Sequence, residues 1–392
     1  VVAGLVGAAS PLAYLFAAAG IGVIMACFAE AASRFREPGG PYLYAREGFG
    51  RFAGIQIAWL TWLVRLTAAA ANANLFVLYL GEFWPDATAG VPRLAILTLL
   101  VGALAAANYR GVKTGAQISN LFAAAKLLTL FFFITVGIFF VRGERLVSTG
   151  SYPAGAWLDA VLVLVYAFGG FEAALIPMSE VKDPRRDAPF ALLTALVVTT
   201  VLYTGIQVVV MGVLAAPAES EHPLAAAAAE FLGPMGANLI AVGALVSVYG
   251  YLSAGMLNSP RLTLALAERK EFPTGLAAIH PRFRTPHISI VLFALLVWAL
   301  AVMGSFQWNL TLSAVARLFT YASTCAAVLA LRKKRPDENV FRLPGRAILP
   351  MLGVGFSAVL ATRMGRAELM MIAITAALAL ANWFWVRRRD AA

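Results

Sequence analysis

Long apolar runs, separated by short polar segments rich in Gly, Pro, Lys and Arg, recur along the whole chain. A helix needs roughly 20 mostly apolar residues to cross the hydrocarbon core of a bilayer. Eleven runs are close to that length, and we predict a membrane-spanning helix over each of them. The predicted spans are 11–34, 51–82, 92–109, 115–141, 156–178, 189–214, 232–262, 287–304, 309–331, 347–362 and 367–386. The pattern therefore predicts an all-α polytopic membrane protein.

Composition agrees with a membrane protein and excludes several other classes. Of the 392 residues, 61% are hydrophobic and 13% are charged, whereas soluble domains carry about 25% charged residues. Both cysteines, Cys27 and Cys325, fall inside predicted spans, where we interpret them as packing residues. The three histidines lie in loops, and no nucleotide-binding loop is visible. We therefore expect no metal, no cofactor, no nucleic-acid partner and no enzymatic activity.

Positive charge is distributed unevenly between the two sets of loops. Most of the 31 lysines and arginines lie in alternate loops and at the C-terminus, on one predicted side of the membrane. Cytoplasmic loops carry this excess in membrane proteins, so the basic side is predicted to be cytoplasmic. This orientation places the C-terminus in the cytoplasm and the protein in the cytoplasmic membrane. Three further cations, Arg65, Lys126 and Arg317, lie within predicted spans.

Four segments, in order along the chain, carry a family resemblance. The first reads FAEAASRFREPGGPYLYAREGFG, and the four cover Phe28–Gly50, Tyr166–Leu193, Ser259–Ile290 and Leu312–Pro336. They resemble the signature segments of the amino acid/polyamine/organocation (APC) permease family. The resemblance implies a five-plus-five inverted-repeat transporter fold. It also implies a transporter core over residues 1–335 and two additional C-terminal helices with a cytoplasmic tail over 336–392.

The beginning of the chain departs from the family pattern. With eleven spans and a cytoplasmic C-terminus, Val1 is expected outside the cell, and residues 1–10 resemble the outer end of a preceding helix. The Gly-Ser-Gly-Ile break of the family's first helix is absent. We therefore expect a fragment that lacks most of that helix, so that the eleven spans are family helices 2–12. Two alternatives are that residues 1–10 begin a long first span, and that the chain is naturally short and inactive in transport.

A pair of glycines interrupts the predicted span 156–178. Gly169 and Gly170 each cost roughly 1 kcal/mol in a helix interior, and the backbone groups that a break exposes can bind the charged ends of an amino acid. The alternative is close helix packing at small residues. The resemblance favours a substrate-binding break formed by Ala167, Phe168, Gly169, Gly170 and Glu172. Glu172 either takes part in transport directly or pairs with an interior base and holds helices together.

Lys126 lies near the middle of its predicted span, roughly 16 Å from its start. A lysine removed from water can exchange a proton near neutral pH. In proton-coupled members of the family, a fifth-helix lysine takes the place of a sodium ion. The resemblance therefore implies a proton-coupling role for Lys126, with Ser253 as a weaker candidate beside it. The alternative for Lys126 is a structural ion pair, which is also the expectation for Arg65 and Arg317.

The resemblance implies the function as well. We expect proton-coupled uptake of amino acids by alternating access, with a small amino acid, protons and membrane lipid as the partners. The absence of an acidic cluster in the spans favours neutral amino acids over polyamines. Alternatives are transport of polyamines or organic cations, amino acid exchange, and a receptor-like relative that has lost transport.

Overall fold

The computed structural model describes residues 1–392 except 36, 38, 112–115, 148–149, 176–180, 182, 221, 337–339 and 392, and it leaves the side chains of 116–123, 184, 390 and 391 undescribed. The described part contains helices and no strand. The α-helices are α1 Val2–Val6, α2 Ser10–Ser33, α3 Pro41–Phe49, α4 Arg51–Leu80, α5 Gly90–Tyr109, α6 Ala116–Gly137, α7 Ala154–Phe168, α8 Pro184–Val213, α9 Pro223–Glu268, α10 His287–Met303, α11 Phe306–Lys334, α12 Ile348–Ala361 and α13 Arg366–Ala391.

The predicted all-α membrane fold is confirmed. Within the described ranges, eight helices are long and apolar enough to cross a membrane. Three shorter apolar helices cover 124–140, 287–303 and 348–361. These helices coincide with the eleven apolar runs. One element was not predicted, because α3 lies in what the sequence pattern indicates to be a loop.

Two predicted spans differ from the observed helices in an informative way. Helix α9 begins at Pro223, but Gly233 has non-helical angles (φ 65°, ψ −162°), so the helix is kinked where the predicted span begins. At the N-terminus, Val2–Val6 forms a short helix of its own. Gly7 (φ 47°) and a 3-10 turn separate it from α2.

The helices form two compact units. The first unit contains residues 1–11, 65–151 and 205–310, and the second contains 12–64, 152–204 and 311–392. Each unit is therefore built from three stretches that are distant in sequence. The division into a core of 1–335 and an appendix of 336–392 concerns family organisation and stays a prediction.

In the second unit, glycines let helices approach closely. A Cβ atom on Gly20 of α2 would overlap the Phe356 ring of α12, and one on Gly48 of α3 would lie 3.1 Å from the Ala327 Cβ of α11. Because real Cβ atoms rarely approach so closely, these contacts need a residue without a side chain. The second unit is thus packed around α2 and α11, which are themselves rich in small residues.

In the first unit, α6 packs against α9. A Cβ on Gly137 would lie 3.2 Å from the Phe231 ring, and one on Gly243 would lie 3.0 Å from Thr129. As residue numbers rise on one helix and fall on the other along this contact, the two helices are antiparallel. Helix α5 packs against α10, where Trp298 Nε1 donates a hydrogen bond to Thr98 (2.9 Å).

Candidate substrate-binding site

Helix α7 ends in the middle of its predicted span. Its last residue is Phe168, Gly169 is extended (φ −75°, ψ 166°), and Gly170 lies in the left-handed region (φ 110°) that favours glycine. A single 3-10 turn, Phe171–Ala173, follows. The predicted helix break is therefore present at the Gly-Gly pair, whereas residues 176–178 of the predicted span lie outside the described residues.

Glu172 lies directly behind this break and is 7% exposed. Its Oε1 lies 3.0 Å from Nη1 of Arg317, a residue of α11 that is 3% exposed. Its Oε2 accepts hydrogen bonds from the Gly170 N–H (2.9 Å) and from the Tyr321 hydroxyl (3.3 Å). The carboxylate thus binds one residue of the break itself and two consecutive turns of α11. Glu172 thus forms an interior ion pair, and its part in transport stays a prediction.

The two glycines have different surroundings. A Cβ on Gly169 would overlap Arg317 Nη1 and would lie 2.9 Å from the Val165 carbonyl oxygen, so the guanidinium packs against bare backbone. A Cβ on Gly170 would meet no atom of the described residues within 4 Å. Gly169 therefore makes room for the ion pair, and Gly170 borders open space.

An aromatic cluster surrounds the break. The Phe28 ring of α2 makes edge contacts with Tyr44, Phe171 and Tyr321, at centroid distances of 6.2, 5.2 and 5.6 Å. Phe171 and Tyr321 stack at 5.5 Å. The Tyr44 hydroxyl is buried without a hydrogen-bond partner among the described residues, and burial raises the pKa of this phenol. Three of the four family-like segments therefore meet at one place.

Ala167 and Phe168 form the last turn of α7. Phe168 is buried and makes an edge contact with Tyr203 of α8 at 5.5 Å, while Ala167 is half-buried. The carbonyl groups in the last turn of a helix lack intrahelical partners. The Gly169 N–H bonds to Tyr166 oxygen (3.2 Å), which satisfies one of them. The turn thus presents acceptors beside Gly170.

Lys126 belongs to the first unit and is the eleventh residue of α6. At 100° per residue, it shares a helix face with Phe133 and Gly137. That face is the packed one: Phe133 is buried against Phe231 (5.6 Å), and Gly137 packs on Val209. Lys126 is nevertheless exposed, and no ion pair or hydrogen bond of its side chain is found in the part of the chain that the structure describes. Its ammonium group is therefore accessible, although it belongs to a helix that is packed at Phe133 and Gly137.

The structure does not bring Ser253 next to Lys126. The antiparallel pairs Gly137 with Phe231 and Thr129 with Gly243 set the register of α6 on α9. This register places Lys126 opposite the part of α9 around Val246, and Ser253 about 10 Å further along the axis. Ser247 is nearer to the level of Lys126. The coupling role of Ser253 stays a prediction.

With this geometry established, the chain can be compared with known proteins. A family model described as amino acid permease matches residues 1–384. The chain belongs to the amino acid permease family. The match covers both units and all four segments that resemble the APC permeases, so that resemblance is confirmed.

Characterised relatives of this permease are transporters. It is 27% identical to the methylthioribose transporter of Bacillus subtilis over 89% of this chain and 80% of that protein. It is 23% identical to the branched-chain amino acid permease BcaP of the same organism, over 98% and 88%. It is 26% identical to the serine/threonine exchanger SteT, over 84% and 76%. The chain is thus a multi-pass membrane transporter for amino acids or related solutes, and not an enzyme.

Several residues of the permease site were missed by sequence reasoning. Tyr321, Phe28 and Tyr44 contact the break or its neighbours, yet aromatic residues in apolar helices carry no signal that separates them from ordinary core positions. Arg317 was expected to form an ion pair, but its partner was not identified. A charge census could have paired Arg317 with Glu172, because opposite charges inside spans tend to pair.

Proposed function

We propose that this permease takes up neutral amino acids by proton-coupled symport, through alternating access. The substrate binds at the α7 break formed by Ala167, Phe168, Gly169, Gly170 and Glu172. Lys126 carries the coupling proton. The observation that carries the proposal is the backbone break, which borders open space at Gly170 and lies beside a buried, charge-neutral pair.

The break offers partners for both ends of a zwitterion. Carbonyl groups at the end of α7 are acceptors for an ammonium group. N–H groups of the turn that begins at Phe171 are donors for a carboxylate, as at other helix starts. Transporters of related architecture bind substrates at discontinuous helices near the midplane. A substrate with one positive and one negative group close together fits such a site.

The ion pair argues against a cationic substrate. Glu172 is the acidic side chain at the break, and its charge is balanced by Arg317 at 3.0 Å. A polyamine would need an additional carboxylate or would have to displace the guanidinium, which is expensive in a buried environment. A neutral amino acid requires neither. The names of two relatives, a branched-chain amino acid permease and a serine/threonine exchanger, agree with this substrate class.

Lys126 is suited to proton coupling because it is both embedded and reachable. It lies midway along α6 on the packed face of that helix, and its side chain is exposed. A lysine without a carboxylate partner, in an environment of low dielectric constant, can release its proton at physiological pH. In this proposal, water reaches the exposed ammonium group of Lys126 and exchanges that proton. The predicted orientation, with basic loops and the C-terminus in the cytoplasm, sets the direction of uptake.

The proposal is tested with purified protein in liposomes. Uptake of radiolabelled leucine, serine or threonine is measured with and without an inward proton gradient, and arginine, putrescine and methylthioribose are added as competitors. We expect gradient-driven accumulation of a neutral amino acid and little inhibition by putrescine. Accumulation of putrescine instead would overturn the substrate class.

Two substitutions separate the coupling role from folding. Lys126→Met removes the proton-carrying group, and Lys126→Arg keeps a charge that does not deprotonate. Both variants should lose gradient-driven accumulation while keeping substrate exchange between the two sides. If either variant retained the full dependence on the proton gradient, Lys126 would not be the coupling residue.

A further inference from the structure

A basic cavity opens between the end of α11 and the beginning of α12. It has a volume of about 560 Å³. Its lining comprises Leu329, Arg332, Lys333, Arg342, Leu343, Gly345, Arg346 and Ala347. Four of these eight residues are cations, and none is acidic. We refer to it as the α11–α12 pocket. All of it lies in the second unit, away from the α7 break in sequence and on the side that the charge bias assigns to the cytoplasm.

One of the four cations is fixed in place. Glu30 of α2 is fully buried and accepts hydrogen bonds from Arg332 Nε (2.8 Å), from Arg34 Nη2 (3.0 Å) and from the Leu343 N–H (2.9 Å). Arg332 also donates through Nη1 to the Arg346 carbonyl. These bonds hold the wall of the pocket to α2. The Glu30 carboxylate is therefore occupied by Arg332, Arg34 and the Leu343 N–H. It does not reach the other cations that line the pocket.

The other three cations project into accessible space. Lys333, Arg342 and Arg346 are exposed. Arg346 follows Gly345 in the left-handed region, with φ angles of 49° and 76°. This conformation is strained for a residue with a side chain, and the hydrogen bond from Arg332 to the Arg346 carbonyl helps to hold it. The cations that line the cavity repel one another, and an anion bound between them would relieve that repulsion.

The surface next to the pocket is apolar. Leu329, Leu343 and Ala347 line the cavity itself. Immediately after Ala347, the first turns of α12 expose Ile348, Met351 and Leu352 at 65%, 63% and 55%. A small soluble anion would leave this apolar strip uncovered, whereas the acyl chains of a lipid would cover it. The basic pocket and the apolar strip beside it thus complement an amphiphile that has a negative headgroup and apolar chains.

We propose that the α11–α12 pocket binds the headgroup of an anionic phospholipid, with its phosphate between Arg342, Arg346 and Lys333 and its acyl chains along the exposed face of α12. Arginine is suited to this role because its guanidinium can donate two parallel hydrogen bonds to phosphate. Basic pockets between helices on the cytoplasmic side are known to hold anionic headgroups. The assignment does not depend on the transported substrate.

The proposal is tested by native mass spectrometry and thermal unfolding of the whole chain in detergent, with phosphatidylglycerol or phosphatidylcholine added. We expect bound phosphatidylglycerol and a raised unfolding temperature with that lipid only. The double variant Arg342→Ala/Arg346→Ala should bind phosphatidylglycerol roughly 30-fold more weakly, because each basic residue near the surface contributes about a fivefold increase in affinity. The matched control is Arg387→Ala/Arg388→Ala in α13, which removes the same charge outside the pocket and should bind normally.

The remaining measurements distinguish a lipid phosphate from a soluble phosphate as the ligand. Inorganic phosphate and glycerol 3-phosphate are added in place of lipid, and we expect no comparable stabilisation. If either soluble anion stabilised the protein as much as the lipid, the pocket would be a site for a soluble phosphate and the lipid assignment would be wrong. Equal loss of lipid binding in both double variants would also overturn it, because the attraction would then be unspecific. If the double variant does not fold, Arg346→Gln alone is measured in the same way.

Discussion

Two charged side chains inside predicted spans, Glu172 and Lys126, are placed in opposite ways. Glu172 is buried, ion-paired with Arg317 and hydrogen-bonded to Gly170 and Tyr321. Lys126 is exposed on the packed face of α6, and no partner is found for it among the described residues. The contacts of Glu172 stabilise its charge and hold the α7 break against α11. The arrangement of Lys126 leaves a charge available for proton exchange.

The difference teaches how to divide roles between charges in a membrane protein. A buried charge that is fully paired is costly to disturb, because removing its partner leaves an uncompensated ion in a medium of low dielectric constant. Removing a charged side chain that is exposed and has no ion pair should change the free energy of unfolding only slightly. Stability and coupling should therefore respond to different residues, and the following variants test this separation.

The largest effect is expected for Arg317→Met. Removing the guanidinium leaves Glu172 buried without its cation, and we expect a loss of about 3–5 kcal/mol in unfolding free energy together with loss of uptake. Thermal unfolding in detergent measures the first quantity. The control is Arg335→Met, whose exposed pair with Glu47 should contribute about 0–1 kcal/mol. The double variant Glu172→Gln/Arg317→Met should recover part of the lost stability, and no recovery would mean that the pair is not the reason for the loss.

A smaller effect is expected for Gly169→Ala. The added methyl group would overlap Arg317 Nη1, so the guanidinium must move away from Glu172. We expect a loss of about 1–3 kcal/mol, as for other insertions into packed sites. Gly102→Ala in α5 is the control, since nothing among the described residues lies within 4 Å of its added Cβ. Equal stability of the two variants would show that Gly169 is not needed to accommodate the ion pair.

Lys126→Met should change stability by only about 0.5 kcal/mol, as for substitutions that break no packing or pairing. This is the sharpest form of the comparison, because the same variant is expected to abolish gradient-driven uptake. Unfolding and uptake are measured on one preparation. A loss of stability as large as that of Arg317→Met would contradict the view that Lys126 is exposed and makes no ion pair with the described residues.

The smallest effect is expected at Arg363, which bonds Asp159 through Nε (2.7 Å) and Nη2 (2.9 Å). Both side chains are partly exposed, and salt screens such pairs. The nearby carboxylate raises the pKa of Arg363 above its usual value. Arg363→Gln should lower the unfolding temperature slightly at low salt and not measurably in 0.5 M salt, where the Debye length is about 4 Å. An effect that persists in high salt would place this pair with the buried ones.

Sequence reasoning reached the helices and the break because both depend on local signals. Apolar run length sets where a helix can span, and a Gly-Gly pair in an apolar helix is compatible with either a break or close helix packing. The family resemblance favoured the break at Gly169 and Gly170. Helix α3 was missed because its residues are mixed in polarity and its burial depends on the rest of the second unit.

The partners of the site residues could not be found from the sequence. Tyr321 is separated from Glu172 by 149 residues, and the Tyr321 hydroxyl has no local feature that indicates a carboxylate nearby. Ser253 was placed beside Lys126 on the family pattern, but the register of α6 on α9 depends on side chains such as Phe231 and Thr129 that only the packed structure brings together. Tertiary register is the information that a pattern of apolar positions does not contain.

The long separation between paired charges has a consequence for how the chain is made. Glu30 meets Arg332 only after 302 further residues are synthesised, and Glu172 meets Tyr321 after 149. At roughly 5–20 residues per second, these intervals last about 15–60 s and 7–30 s. During that time Glu30 is without its bond to Arg332, and Glu172 is without Arg317 and Tyr321. The second unit is therefore completed late, when α11 leaves the ribosome, and nascent chains halted before α11 should be the ones most exposed to quality-control proteases.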